Sequence, residues 1–326
     1  MTDLQLCGIR FAIFFSNTFC INFSLIASLT PSEQPTLGPT LLPTTVFPTS
    51  FPTPECAENG ELRFSAMKEA LVDISSSYGY ELSFNDTSSA DFVAFDWLSQ
   101  TDLLHLCPDS LNLVQRFVLA VLYSGLGGAG WDPCTIQSCS GSPFLSAVDE
   151  CSWDGIVCFG GEVIEIHLND RNARGQLPEI IGLLSSLQVL SMDDNRLTGS
   201  IPESLGALPN LRVVDLDNNE LEGSIPESLF NATMLQVIDL DTNRLDGTLS
   251  TRIGDLEYLY YLQLDRNYFT GDLPDELATL TDLKYLSLFQ NNFNSSIPPI
   301  LCEGDVHIFA DCDVCTIADC CQACLR

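Results

Sequence analysis

Residues 213–228 read VVDLDNNELEGSIPES, and the phrase returns on both sides at a spacing of 24 residues. Set at that period, Leu187, Leu211, Leu235, Leu259 and Leu283 align, followed by Leu190, Val214, Ile238, Leu262 and Leu286. Met192, Leu216, Leu240, Leu264 and Leu288 form the next column. Asparagine recurs at Asn195, Asn219, Asn243, Asn267 and Asn291. Gly199, Gly223, Gly247 and Gly271 fall in line, as do Pro202, Pro226, Pro274 and Pro298. The template is LxxLxxLxLxxNxLxGxIP, in five copies. A sixth, degenerate copy precedes them: Val163, Ile166, Leu168, Gly175, Leu177 and Pro178 fit, and Arg171 replaces the asparagine.

A unit this short cannot bury its own apolar face, so neighbouring units must stack into one continuous core. LxLxx then supplies one short strand per coil, and the strands form a parallel sheet on the inner side. Each asparagine sits where the chain leaves the strand, placed to satisfy backbone groups of its own turn and of the adjacent coil. Glycine permits the bend that follows.

These repeats resemble leucine-rich repeats, specifically the plant type with its LxGxIP half. Cys151-Ser-Trp-Asp-Gly-Ile-Val-Cys158 is similar to that family's N-terminal cap, and LVQRFVLAVLYSGLGGAGW resembles the helix before it in secreted plant and algal members. The resemblance covers residues 110–326, most firmly 151–301. It implies an α/β solenoid: a curved superhelix with a parallel concave sheet, a second small sheet near the GxIP segments, and a binding role at the cell exterior. A disulfide between Cys151 and Cys158 belongs to the same implication. Ser250 and Ser295 depart from the template, and the Cys-rich tail matches no standard cap; capping is the role expected of it.

The outward positions of the sheet are the x residues of LxLxx. One column runs His167, Ser191, Asp215, Asp239, Gln263, Ser287, and the next runs Asn169, Asp193, Asp217, Asp241, Asp265, Phe289. Aspartates thus stack at the ~4.8 Å spacing of strands, where like charges repel. Such a stripe invites a counter-charge: a basic partner, or Ca²⁺ at Asp215, Asp217, Asp239 and Asp241. The competing reading is a solvated edge. A third column changes from Val189, Val213 and Val237 to Tyr261 and Tyr285, which with Phe289 are expected to form an exposed aromatic cluster suited to partner contact. Packing against the C-terminal cap is the alternative there.

Outside the repeats the composition changes. Residues 1–29 hold an apolar run that reads as a secretory signal peptide, with an uncleaved membrane anchor as the competing reading. Residues 30–55 carry a proline about every fourth position among threonines, the composition of an extended, O-glycosylated stalk. Residues 56–162 contain three helical patterns and six cysteines and are expected to cap the first repeat, or to form a separate small domain. Residues 163–301 hold the six repeats and 302–326 the Cys-rich cap.

Cysteines number 14, in clumps that flank a cysteine-free middle, the pattern of disulfide-stapled ends. Cys312-x-x-Cys315 and Cys321-x-x-Cys324 also have zinc-ligand spacing. Asn85, Asn231 and Asn294 begin N-glycosylation sequons. Gly125-x-Gly127-x-x-Gly130 matches a dinucleotide fingerprint but follows a helix rather than a strand, so it reads as a helix stop.

Thirteen basic residues against 44 acidic ones give a net charge of -31, which repels nucleic acid. Three scattered histidines and no HExxH or GxSxG leave nothing that resembles a catalytic constellation, and the aspartates are expected on an open surface. The chain therefore reads as a non-enzymatic, secreted or surface-tethered recognition protein. Its partner is a protein, peptide or wall polysaccharide of basic character, held on the concave face, with no cofactor unless Ca²⁺. Membrane contact comes only through an N-terminal anchor, and oligomeric state is left open. The alternatives are a calcium-binding structural or adhesive component of wall or matrix, and an inhibitor of a secreted hydrolase.

Overall fold

The computed structural model describes residues 5–6, 21–22, 60–110, 112–131, 141–315, 320–321 and 323–325. The N-terminal unit, Met1–Phe51, is described only by an antiparallel pair, Gln5–Leu6 with Ile21–Asn22. The signal or anchor and the stalk expected from the sequence otherwise lie outside the described residues.

The second unit, Pro52–Arg326, opens with helices α1 (Gly60–Ser77), α2 (Ala90–Asp96) and α3 (Leu113–Gly125). Ser89 starts α2 by accepting the Phe92 N–H, and the helix continues as a π turn over Trp97–Thr101. Helix α3 is apolar nearly all round, and every position from Leu113 to Leu122 except Val114 is buried. That is the signature of a helix enclosed by neighbours rather than lying on a surface. Gly127 follows it in a left-handed conformation (φ 68°), as the helix stop expected from the sequence requires.

The repeats follow. A nine-stranded sheet is built from β1 (Ile156–Phe159), β2 (Glu162–His167), β3 (Val189–Ser191), β4 (Val213–Asp215), β5 (Val237–Asp239), β6 (Tyr261–Gln263), β7 (Tyr285–Ser287), β8 (His307–Asp311) and β9 (Ala323–Leu325). Only β1 runs antiparallel; β2 to β9 are parallel and neighbours in chain order. Leu190, Val214, Ile238, Leu262, Leu286 and Ile308 share one register row and are buried in the core. The opposite side of each coil is a short 3-10 turn that begins after the template proline, for example Glu203–Ala207 after Pro202. These coils pack tightly: a Cβ on Gly206 would stand 1.9 Å from the Ser228 carbonyl oxygen. A second sheet of Arg174–Gln176, Arg196–Gly199, Glu220–Gly223 and Arg244–Leu245 flanks the first, and Thr270–Gly271 pairs with Asn292–Phe293 beyond it.

The asparagines form a ladder between coils. Asn243 donates to the carbonyls of Leu216 (2.9 Å), Leu240 (3.2 Å) and Asp241 (3.2 Å), and accepts the Leu221 N–H at 3.0 Å. Asn195, Asn219, Asn267 and Asn291 repeat the arrangement. Where the asparagine column ends, Asp311 of β8 substitutes, accepting the Gln290 and Asn291 N–H groups at 3.0 and 3.3 Å. The departures from the template are repaired locally: Ser250 caps the turn at Arg252, and Ser295 accepts the Leu273 N–H at 2.8 Å. Asn243→Ala strands a buried N–H and three carbonyls, and should cost about 1–3 kcal/mol in denaturant unfolding. A loss under about 0.5 kcal/mol would show that the ladder is ornamental.

Both ends are stapled. Cys151 pairs with Cys158, Cys302 with Cys320 and Cys315 with Cys321; Cys107 and Cys312 are disulfide-bonded too. The zinc alternative for the tail is thereby corrected, because thiols committed to disulfides cannot ligate a metal.

Arg116 fastens the N-terminal helices to the loop that precedes β1. Its fully buried guanidinium donates to both Asp102 carboxylate oxygens at 2.8 Å, to Glu150 Oε2 at 3.0 Å, and to the carbonyls of Val148 and Ser146. The rings of Trp97 and Trp153 lie 5.2 and 4.7 Å from it. The neighbouring Gln115 accepts the Val163 N–H and donates to Glu150, tying α3 to β2.

Candidate functional site

Strand alternation puts the leucines inward and three columns of side chains outward on the concave face. The first column runs Glu165, Val189, Val213, Val237, Tyr261, Tyr285 and His307. The second runs His167, Ser191, Asp215, Asp239, Gln263, Ser287 and Phe309. The third holds Asp193, Asp217, Asp241, Asp265 and Phe289, kept in register by N–H to carbonyl bonds from Asp194, Asn218, Thr242 and Arg266.

The expectation that this stripe lies on an open surface is corrected. Asp193, Asp239, Asp241 and Asp265 are buried, the last only 1 % exposed, while Asp215 and Asp217 are half-buried. The cause is geometric: on the inside of the curve, neighbouring strands shield each side chain from both flanks. The aromatic cluster also differs from expectation. Tyr261 and Phe289 are buried, at 2 and 3 % exposure, and only Tyr285 is partly open. Tyr261 is covered by Tyr285, stacked at 4.5 Å and 7°, and its hydroxyl binds Gln263. Phe289 lies under the Arg266 guanidinium, 5.0 Å from the ring centre. Tyr258, Tyr260 and Tyr268, outside the three columns, are exposed.

Cationic compensation along the stripe is lopsided. At its C-terminal end, Arg266 pairs with Asp241 and Asp265 at 3.4 and 3.2 Å. Asp241 also accepts from Gln263 at 2.7 Å and Thr242 at 2.6 Å. Among the described residues, no arginine, lysine or histidine pairs with Asp193, Asp215 or Asp217. Their oxygens converge within 4.8 Å of one another. The Ser191 hydroxyl, with one proton to give, faces Asn169 Oδ1 at 2.9 Å, Asp193 Oδ1 at 3.3 Å and Asp215 Oδ2 at 3.5 Å. Asp215 Oδ1 is buried and receives no bond from a serine, an amide side chain or a cation; what hydrogen bonding its carboxyl has there comes from the Asp217 carboxyl and N–H.

The carboxyls respond as desolvated, crowded acids should. Burial, then neighbouring charges, pushes Asp193 up to about 6 and Asp215 to about 7. Burial and Asp241 push Asp265 to about 7 despite Arg266. Asp217 and Asp239 are raised further, by burial first and then by Asp215 and Asp241. The aspartates whose oxygens converge are thus Asp193, Asp215 and Asp217, whereas Asp241, grouped with Asp215, Asp217 and Asp239 on repeat spacing, is already held by Gln263 and Arg266. At the N-terminal end His167 bonds Glu165 at 2.7 Å. The sequon residues Asn85, Asn231 and Asn294 are exposed. Sequence reasoning missed Phe309, because β8 follows β7 at a 22-residue spacing and carries no LxxN signature.

Comparison with known proteins places this geometry among relatives. The leucine rich repeat family matches at residues 185–245 and again at 282–303. The PEPR1–AtPEP1 crystal structure is similar over 62 % of this chain and 28 % of its own, at 28 % identity and TM-score 0.52. The Arabidopsis receptor kinase HAESA ectodomain, in complex with an extended IDA peptide hormone ligand, matches 58 % of this chain and 33 % of its own, at 30 % identity and TM-score 0.49. The BIR3–SERK2 complex from Arabidopsis thaliana matches 53 % of this chain and 92 % of its own, at 30 % identity and TM-score 0.43. The chain thus spans about a third or less of the PEPR1 and HAESA structures. Among curated proteins no sequence matches. No helix among the described residues is long and apolar enough to cross a membrane.

Proposed function

Because the chain is a leucine-rich-repeat protein of the plant type, we propose that it is an extracellular recognition protein whose concave face binds a basic peptide or a basic segment of a protein. The observation that carries this reading is the cluster of Asp193, Asp215 and Asp217 in the N-terminal half of the groove, which no cation among the described residues compensates. Buried acceptors that outnumber their donors favour a ligand that brings N–H groups and positive charge. The likeness to the PEPR1–AtPEP1 structure supports ligand recognition on such a scaffold. Tyr285 would anchor one end of the contact.

The test is calorimetric titration of a Lys-rich dodecapeptide into the intact chain and into the Asp193→Asn, Asp217→Asn double variant. Saturable binding that weakens at least tenfold in the variant, and again between 50 mM and 500 mM salt, is the expected result. Equal heats in both proteins would sink the reading.

The same three carboxylates favour one second reading, a calcium-dependent structural or adhesive role. Ca²⁺ takes six to eight oxygens, and three converging carboxylates with Asn169 Oδ1 nearby are a suitable start. Titrating Ca²⁺ alone separates the two: micromolar binding lost in the double variant would favour the metal, and no heat would leave the groove to the peptide.

A further inference from the structure

The C-terminal cap does more at the groove than cover the core. In β8, Ile308 and Ala310 point inward and are fully buried, as a core cover requires. His307, Phe309 and Asp311 alternate with them on the concave side. Asp311 completes the ladder, but Phe309 serves neither the core nor the ladder. Phe309 is only partly buried and packs against Tyr285, ring centres 5.3 Å apart at 37°, and Tyr285 lies flat on Tyr261. Three aromatic rings thus form a shelf that is buried at Tyr261 and opens to the groove at Tyr285 and Phe309. The shelf is held firmly. The Leu288 N–H bonds the Phe309 carbonyl at 2.8 Å and the His307 N–H bonds the Lys284 carbonyl at 2.8 Å. The disulfides Cys302–Cys320 and Cys315–Cys321 fix the chain on either side of the strand. A rigid aromatic ring at a groove's end, next to a stretch of acid, offers apolar contact at little entropic cost.

We propose that Tyr285 and Phe309 form an apolar subsite for an aromatic or aliphatic side chain of the same peptide whose basic residue lies against Asp193, Asp215 and Asp217. The inference rests on the basic-peptide reading and adds the spacing of the two anchors. Asp215 and Phe309 belong to one column, and four strand-to-strand steps separate them, from β4 to β8. At about 4.8 Å a step the span is roughly 19 Å. An extended chain rises about 3.3 Å per residue, so the basic and apolar residues of the ligand lie about six positions apart. The floor between them, Asp239, Gln263 and Ser287, is polar and buried.

Fluorescence anisotropy with labelled Gly/Ser peptides tests this. Each carries one Lys-Lys pair and one Phe, set two, six or ten residues apart, and a control lacks the Phe. The six-residue spacing should bind about tenfold more tightly than the control. Phe309→Ala should bring it down to the control, leaving the control's own affinity unchanged. Phe309→Tyr, which keeps the ring, should retain the gain, and a thermal melt of both variants verifies that β8 remains docked. If the control binds but spacing and Phe309→Ala make no difference, the subsite is refuted and the basic-peptide reading stands. If neither the control nor any spaced peptide binds, the basic-peptide reading falls and takes the subsite with it.

Discussion

Arg116→Leu should destabilise the protein by about 3–5 kcal/mol, the cost of leaving buried carboxylates without their cation. Asp102 and Glu150 have fully buried side chains, and both aim at the guanidinium. Removing it orphans two acids, two backbone carbonyls and the faces of two tryptophans in one change. Lysine is no substitute: an ammonium cannot make the bidentate bond to Asp102 or lie flat between Trp97 and Trp153. Arg116→Lys should therefore lose most of the same stability. In a domain of this size the melting temperature would fall by on the order of 10 °C. Adding Asp102→Asn and Glu150→Gln to Arg116→Leu should recover part of the loss, since the residual penalty is unpaired charge. A single-variant loss under about 1 kcal/mol, or no recovery in the triple variant, would mean that the hub does not fasten the N-terminal helices.

The second large effect is a stability that declines as pH rises. Asp193, Asp215 and Asp265 take protons near pH 6 to 7 in the folded chain, and Asp217 and Asp239 hold theirs higher still. The unfolded chain releases the same protons near pH 4. The folded state therefore binds more protons through that interval, and stability from these groups is full below about pH 4 and drains away as pH climbs through 6 and 7. A carboxyl that keeps its proton to a pH one higher in the folded chain than in the unfolded one contributes about 1.4 kcal/mol. The set is thus worth several kcal/mol, and urea unfolding should show a clearly more stable protein at pH 5 than at pH 8. Asp217→Asn with Asp239→Asn, neutral at every pH, should flatten the profile and raise stability at pH 8. A protein equally stable at both pH values would show that the carboxyls are better solvated than their burial implies. A cationic ligand acts in the opposite direction from acid: it drives these protons off, so its binding should strengthen as pH rises toward 8.

The repeat was legible in the sequence because its cause is local and periodic. Leucine, asparagine and glycine columns in register leave little choice of architecture, and helices α1 to α3 follow from their own apolar spacing. What periodicity conveys is which residues share a column, and strand alternation assigns Asp215, Asp239 and Tyr261 to the concave side. It does not convey how deep a column lies. Burial of Asp239 and Asp265 depends on the curve of the sheet and the width of neighbouring side chains, neither of which is written in any one coil. Phe289 disappears beneath Arg266, a residue of the preceding coil reaching across. Arg116, Asp102 and Glu150 are a constellation without a pattern: three charges far apart in the chain, meeting where no repeat predicts it. Phe309 was hidden by the change of spacing into the cap.

The asparagine ladder has a consequence for how such a protein could change over generations. Every coil presents one edge to the coil before it and the complementary edge to the coil after it, and the pair is the same from coil to coil. Duplication or deletion of one 24-residue unit would therefore create no unfamiliar junction and leave no orphaned backbone group. Each event would lengthen or shorten the distance between the acid and the shelf by about 4.8 Å, or roughly one and a half ligand residues. The groove could thus be re-tuned to a ligand of different length by copying a unit, without inventing a contact.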